Sequence, residues 1–261
     1  GGMYAGFSTD GSLLKINAGG EIRVYKVQTG ELVRALAYTV VDHEQVYLAG
    51  NGILAASVAV GEVDVIDIQR NSVEPITVYQ GHQDPNTFDG TIYDVILSYD
   101  GSMGISSDKK GAVHLWDTRN GQCIRTLNTR DLEDDIDALA ISRDGKVLAT
   151  RGVTGTICIW NVETGERIRV LNSEKGPTTE FGQGQGEFGL CMPGHGKFVT
   201  AITRNKLCMW NVESGNLCWE AKPTSGASFT FVCGPASRVM TVWSTNPKAV
   251  TLWSVSFPGA E

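Results

Sequence analysis

The chain has 261 residues, 41% of them hydrophobic, and a formal net charge of −7. That length and make-up suit a single soluble all-β domain, and no apolar run approaches the roughly 18 residues a membrane helix needs. A charge excess on the acidic side, with no broad basic surface, argues against nucleic acid as the principal ligand. Taken in chain order, six alternating strands each end in a large aromatic or aliphatic residue followed by a turn: EIRVYKVQTG, EVDVIDIQRN, AVHLWDTRNG, TICIWNVETG, KLCMWNVESG and AVTLWSVSFP. The closing residues are Tyr25, Ile66, Trp116, Trp160, Trp210 and Trp253, spaced 41, 50, 44, 50 and 43 residues apart. A period of about 40–45 residues built from short strands is the mark of a propeller blade.

The fourth repeat reads most fully. IDALAISRDG, KVLATRGVTG, TICIWNVETG and ERIRVLN are four strands with period-2 alternation, divided by Gly, Asn or Asp turns. Asp-Gly recurs at Asp10-Gly11, Asp100-Gly101 and Asp144-Gly145, as expected of a tight hairpin between the first two strands of a repeat. The expectation is an all-β propeller of about six four-stranded blades forming one domain over 1–261. The blades fall near 1–41, 42–88, 89–131, 132–180, 181–225 and 226–261. The first repeat opens on an inner strand, Met3 to Ser8, and the last stops after a third strand, Val250 to Val255. The last blade is therefore expected to be incomplete, its edge closed by flanking segments of a longer chain, in a ring of six or seven blades. An open six-bladed ring is the rival.

These residues resemble the WD-repeat family over nearly the whole chain. Trp-Asp stands intact at Trp116-Asp117, becomes Trp-Asn at Trp160-Asn161 and Trp210-Asn211, and becomes Trp-Ser at Trp253-Ser254. Gly-His precedes an inner strand at Gly81-His82. The resemblance implies a buried hydrogen-bonded tetrad of His, Ser/Thr, Asp and Trp, for which His82, Ser106, Asp108 and Trp116 of the third repeat are the near-complete set. It also implies a scaffold that assembles complexes through its faces. The Trp rings are expected in the core between sheets, because each buries a large apolar area.

Enzymatic motifs fail on context. Gly184 to Gly189 fits G-x-G-x-x-G but lies in a connector with no helix after it, so no cofactor is expected. Gly194-His195-Gly196-Lys197 lacks the spacing of a phosphate loop. His43, His82, His114 and His195 fall in different repeats, so no metal or catalytic residue is assigned. Six cysteines without a C-x-x-C read as reduced, mostly buried thiols of a cytoplasmic protein.

Charge is uneven. The connectors between repeats hold eleven acids against three bases, while the turns before each third strand carry Lys109, Lys110, Arg151, Arg204, Lys206 and Lys248 against Asp108. In the resembled family these loops share one face. Asp84, Asp89, Asp131, Glu133, Asp134 and Asp135 form the candidate interaction face, expected to draw a basic peptide segment. Mutual neutralisation by the basic turns is the rival outcome. The reading is a non-catalytic protein-interaction platform within a larger intracellular protein. The alternatives are a hydrolase-like propeller with a site in its channel, and a structural repeat of a filament or ciliary assembly.

Overall fold

A computed structural model describes residues 4–8, 11–18, 21–37, 46–59, 61–70, 72, 74–83, 90–132, 134–172, 190–193, 196–203, 206–221, 239–242 and 251–254. Strands dominate, and a single turn of 3-10 helix at Arg130–Leu132 is the one helical element among the described residues. The first sheet is β1 (Tyr4–Phe7), β2 (Leu13–Ala18), β3 (Glu21–Lys26) and β4 (Leu32–Leu36). The second is β5 (Val46–Leu48), β6 (Ile53–Ala59), β7 (Glu62–Asp67) and β8 (Thr77–Tyr79). The third is β9 (Ile92–Leu97), β10 (Met103–Asp108), β11 (Val113–Asp117) and β12 (Cys123–Leu127). The fourth is β13 (Ile136–Ile141), β14 (Val147–Gly152), β15 (Thr156–Asn161) and β16 (Arg167–Asn172). The fifth is β17 (Leu190–Cys191), β18 (Phe198–Thr203), β19 (Lys206–Asn211) and β20 (Leu217–Ala221). A sixth sheet pairs β21 (Val239–Val242) with β22 (Thr251–Ser254), the latter standing where the sequence places a third strand.

Each four-stranded sheet pairs its strands antiparallel in chain order, the meander that hairpin-length connections enforce. This is the all-β fold of a propeller with an incomplete last sheet among the described residues. The chain divides into two compact units, one formed chiefly by Gly1–Ile136 and the other chiefly by the residues from Asp137 onward. In the first unit, Ile22, Val24 and Leu36 of sheet one pack with Val46, Leu48, Leu54 and Ile66 of sheet two. Val63, Val65 and Tyr79 of sheet two pack in turn with Val95, Leu97 and Trp116 of sheet three. In the second unit, Ala149, Ile157 and Ile159 meet Val199, Ala201, Cys208 and Trp210. Alternation along the strands supplies both faces, which is why cores form between sheets and not within one.

A bulge recurs beside the closing residue. The register between third and fourth strands slips at Val24/Tyr25, Leu115/Trp116, Ile159/Trp160 and Met209/Trp210. The extra residues are Val33, Ile124, Ile168 and Cys218, all exposed. Most of the described cysteines are buried, as expected. Cys158, Cys191 and Cys208 are buried, but Cys123 and Cys218 are exposed, because both sit at the bulged start of an outermost strand.

The Asp-Gly turns differ from a two-residue hairpin. In Ser98–Met103 the Gly101 N–H bonds the Ser98 carbonyl and the Ser98 N–H bonds the Met103 carbonyl, so four residues make the turn. Gly101 takes a positive φ, 69°. Asp100 serves as an acceptor instead, for the Ser98 and Ser102 hydroxyls, and these bonds hold its carboxyl below the usual range although burial opposes them.

Candidate functional site

Four side chains of the third repeat meet in one buried cluster. His82, on the connector after β8, places Nε2 2.8 Å from Ser106 Oγ of β10 and Nδ1 3.1 Å from Asp108 Oδ2 at the end of that strand. Trp116 Nε1 of β11 donates to the same Ser106 oxygen at 3.1 Å. The register explains the meeting. Trp116 pairs with Gly104, so Ser106 lies two residues on, on the same face of the sheet. Gly104 leaves room for the ring, since a Cβ there would run into the Trp116 side chain.

The donors fix the direction of each bond. Trp116 can only donate and an ionised Asp108 can only accept. Trp116 therefore gives to Ser106 and His82 gives from Nδ1 to Asp108; when the imidazole is neutral, Ser106 gives to its Nε2. The other Asp108 oxygen accepts the Lys110 and Ala112 backbone N–H groups, each at 2.9 Å. Burial works against the charge of Asp108, yet the His82 bond and these two amides outweigh it and hold the carboxyl below its ordinary pKa.

Two further residues extend the cluster. His114, on β11, stacks on His82 with ring centroids 4.1 Å apart and planes within 8°. Tyr79 of β8 places its hydroxyl 2.7 Å from His114 Nδ1 and stacks its ring on Trp116 at 4.7 Å. Burial, then the nearness of Cys123 and Asp108, pushes the Tyr79 phenol up, so it stays protonated and donates to His114. Burial and the neighbouring His82 push His114 down to about 4, with Asp108 opposing. Sequence reading missed this layer, although a signal existed: His114 stands two residues before Trp116, which in a strand means the same face.

Ser–His–Asp in hydrogen-bond contact has the connectivity of a nucleophilic triad. The environment does not fit that chemistry. Ser106 is fully buried, the His82 side chain likewise, and the Ser106 oxygen already accepts the Trp116 N–H. No substrate carbonyl can approach it without dismantling the sheet interface. Among the described residues no group of three or more His, Cys, Asp or Glu is placed to hold a metal ion.

The other repeats hold less of the tetrad. Trp160 donates Nε1 to Thr150 Oγ1 at 3.0 Å, a two-member remnant. Trp210 pairs with Val199, so the residue two positions on is Ala201, which has no hydroxyl. Trp116, Trp160 and Trp210 are 0%, 1% and 6% exposed, in the same register within their sheets. Trp253 pairs with Met240, and its side chain lies outside the described residues.

Of the acidic loop residues, Asp131, Asp134 and Asp135 are described, whereas Asp84, Asp89 and Glu133 lie outside the described residues. Thr129 donates to the Gly111 carbonyl at 2.7 Å, and a Cβ on Gly111 would lie 2.9 Å from the Asp134 carbonyl oxygen. Thr129 and Asp134 therefore rest on the β10–β11 turn that carries Lys109 and Lys110. Asp131 is exposed, while Asp134 and Asp135 are half-buried. Burial and then Asp134 push the Asp135 carboxyl up, Lys109 pulls it down, and Asp108 adds to the rise. Arg151 pairs with Asp137 at 2.9 Å. Arg204, His43, His195 and Gly184 to Gly189 lie outside the described residues.

Residues 73–117 and 121–161 match the family model described as WD domain, G-beta repeat. No curated protein matches the chain. A solved chain from a crystal structure of a mitotic checkpoint complex is similar, at 20% identity with a TM-score of 0.69. The likeness covers 97% of this chain and 75% of that one, and at this identity it speaks for the fold. Among the described residues no helix is long and apolar enough to cross a membrane. The chain thus has a β-propeller fold, and two of its repeats, within residues 73–117 and 121–161, carry the WD-domain, G-beta-repeat signature.

Proposed function

We propose that the chain is a non-catalytic protein-interaction platform, working inside the cell as part of a larger protein or complex. One observation carries the reading. The catalytic-looking constellation of the chain, His82, Ser106 and Asp108, is sealed and spent on structural bonds. Among the described residues, what remains for function is surface on the sheets. The likeness to a chain of a mitotic checkpoint complex supports an assembly role by analogy of fold.

The face offered is the acidic connector group, Asp131, Glu133, Asp134 and Asp135 together with Asp84 and Asp89, and its ligand is a basic peptide segment. Asp135 supports this choice: partial burial and then a neighbouring Asp134 disfavour its charge, and an incoming cation would offset the repulsion. Lys109 offsets only part of that. Titration with a lysine-rich peptide tests the reading. Binding should weaken as salt rises toward a Debye length of about 8 Å. Reversing Asp134 and Asp135 to Lys should slow association by about tenfold while leaving dissociation nearly unchanged. Salt-insensitive or absent binding would remove this face from the account. Hydrolysis of a simple ester, lost on Ser106→Ala, would favour the enzyme alternative instead.

A further inference from the structure

Asn-Gly stands at Asn51-Gly52 and again at Asn120-Gly121. The asparagine amide is one of the chemically labile side chains of proteins. It is most labile before glycine, because the nitrogen that follows has no side chain beside it as a shield. Both asparagines are exposed, so water and solvent base can reach them. The two turns differ in what the amide holds.

Asn51 lies in the turn between β5 and β6 and joins three turns. Its Oδ1 accepts the Ile53 N–H at 3.0 Å, which fixes the other amide atom as Nδ2. Nδ2 donates to the Asp100 carbonyl, in the β9–β10 turn of the next sheet. The fit there is close, since a Cβ on Gly101 would lie 2.6 Å from Asn51 Oδ1. The third turn, after β7, adds two bonds. Gln69 Nε2 donates to the Asn51 carbonyl at 3.2 Å, and the Ile68 N–H donates to the Gly52 carbonyl at 3.1 Å. Gly52 is required at this junction: its φ is 86°, and a Cβ would lie 3.1 Å from Ile68 Cγ1. The residue that the junction demands is also the one that leaves its own nitrogen open to react. Asn120, in the β11–β12 turn, accepts the Gln122 N–H at 2.9 Å, a bond within its own turn.

We propose that Asn51 is a deamidation site whose conversion unties the second sheet from the third at this end. The Gly52 nitrogen gives its proton to solvent base and bonds to Asn51 Cγ. The Cγ–Nδ2 bond breaks, Nδ2 leaves as ammonia, and a cyclic imide closes. Water then opens the ring. Opening at Cγ leaves aspartate at 51, and opening at the main-chain carbonyl leaves isoaspartate, with the chain rerouted through Cγ. No oxidant or reductant takes part.

Either product undoes the junction. A carboxylate has no hydrogen for the Asp100 carbonyl, so two acceptors face each other where a donor met an acceptor. Isoaspartate also lengthens the backbone of a tight turn. There the Ala49 N–H bonds the Ile53 carbonyl at 2.7 Å and the Gly52 N–H bonds the Ala49 carbonyl at 3.0 Å. At Asn120 the same reaction removes no side-chain bond to another sheet among the described residues. The site is independent of the acidic face and of any ligand.

Ageing the intact chain in mildly alkaline buffer, followed by peptide mapping, tests the chemistry. Aspartate and isoaspartate should accumulate at position 51 as well as at 120. The added negative charge lets ion exchange separate the converted chains. In chains converted at 51, the amides of Gly52, Ile68 and Gly101 should exchange at least about fivefold faster than in fresh protein, while those of β14 and β15 stay unchanged. Asn51→Asp reproduces one product without ageing and should show the same pattern, whereas Asn120→Asp should show none of it. An Asn51 that persists after Asn120 has converted would overturn the site. Unchanged exchange at Gly101 in Asn51→Asp, or an equal change in Asn120→Asp, would overturn the untying.

Discussion

The third and fifth sheets bury a Trp in the same register and hold it by different means. Trp116 lies over Gly104 and donates to Ser106, which leads on to His82 and Asp108. Trp210 pairs with Val199, has Ala201 where Ser106 would stand, and sits in an apolar group with Ile159, Val199 and Cys208. The sheet therefore does not need the polar tetrad to form: packed faces suffice in the fifth. What the tetrad adds in the third is a tie between the sheet and the connector that enters it. Divergence of the repeats has left the architecture to burial and kept the polar device where a connector is anchored.

The contrast should be widest for loss of the whole ring. Trp116→Ala should cost about 4–5 kcal/mol and Trp210→Ala about 3 kcal/mol by urea unfolding, because only the first also strands buried polar partners. Equal losses would mean that the hydrogen bonds add nothing to ring burial.

Acid should weaken the first unit through His114. Its pKa falls from 6.5 in the unfolded chain to about 4 when folded. The unfolded state then binds the extra proton between those values, so the stabilisation is complete above about pH 6.5 and lost as pH drops toward 4. The full change is roughly 3 kcal/mol. Urea midpoints measured across this window should slope downward in the wild type, with the slope reduced in His114→Phe. A slope unaffected by that substitution would assign the acid sensitivity to carboxylates.

Trp→Phe substitutions sharpen the comparison further by keeping most of the ring. Trp116→Phe removes the donor to Ser106 and should cost about 1–2 kcal/mol beyond the change in ring size. Trp210→Phe should show only the packing loss. Parity between the two would show that Ser106 finds another donor at no cost.

Much of this was legible in the strand pattern, and the exceptions have a common cause. The closing Trp residues could be read because period-2 alternation and turn spacing are local. The tetrad could be read because Gly81-His82 and Trp116-Asp117 are themselves motifs. The partner of Trp160 was also within reach: Thr150 precedes it by ten residues, the offset from Trp116 to Ser106. The same offset misleads in the fifth sheet. There β18 and β19 are joined by a hairpin one residue shorter, so Trp210 pairs with Val199 and Thr200 turns to the other face, where it meets Cys191 Sγ at 2.9 Å. The spacing from His114 to Trp116 gives their shared face, but the stacking of His82 on His114 depends on how a connector folds back on a sheet, which that spacing does not encode. The acidic face is less legible still, because charge counts do not say which carboxylates approach Lys109 and which remain open.

Ser106→Ala gives the most direct test of the central claim that this Ser–His–Asp–Trp group is structural. It removes one oxygen from a fully buried site and leaves both His82 Nε2 and Trp116 Nε1 without their partner. Urea unfolding should show a loss of about 1–3 kcal/mol with the fold retained, the cost of buried polar atoms left unmatched. Unchanged stability, together with loss of a hydrolytic activity present in the wild type, would contradict the account and make Ser106 a nucleophile.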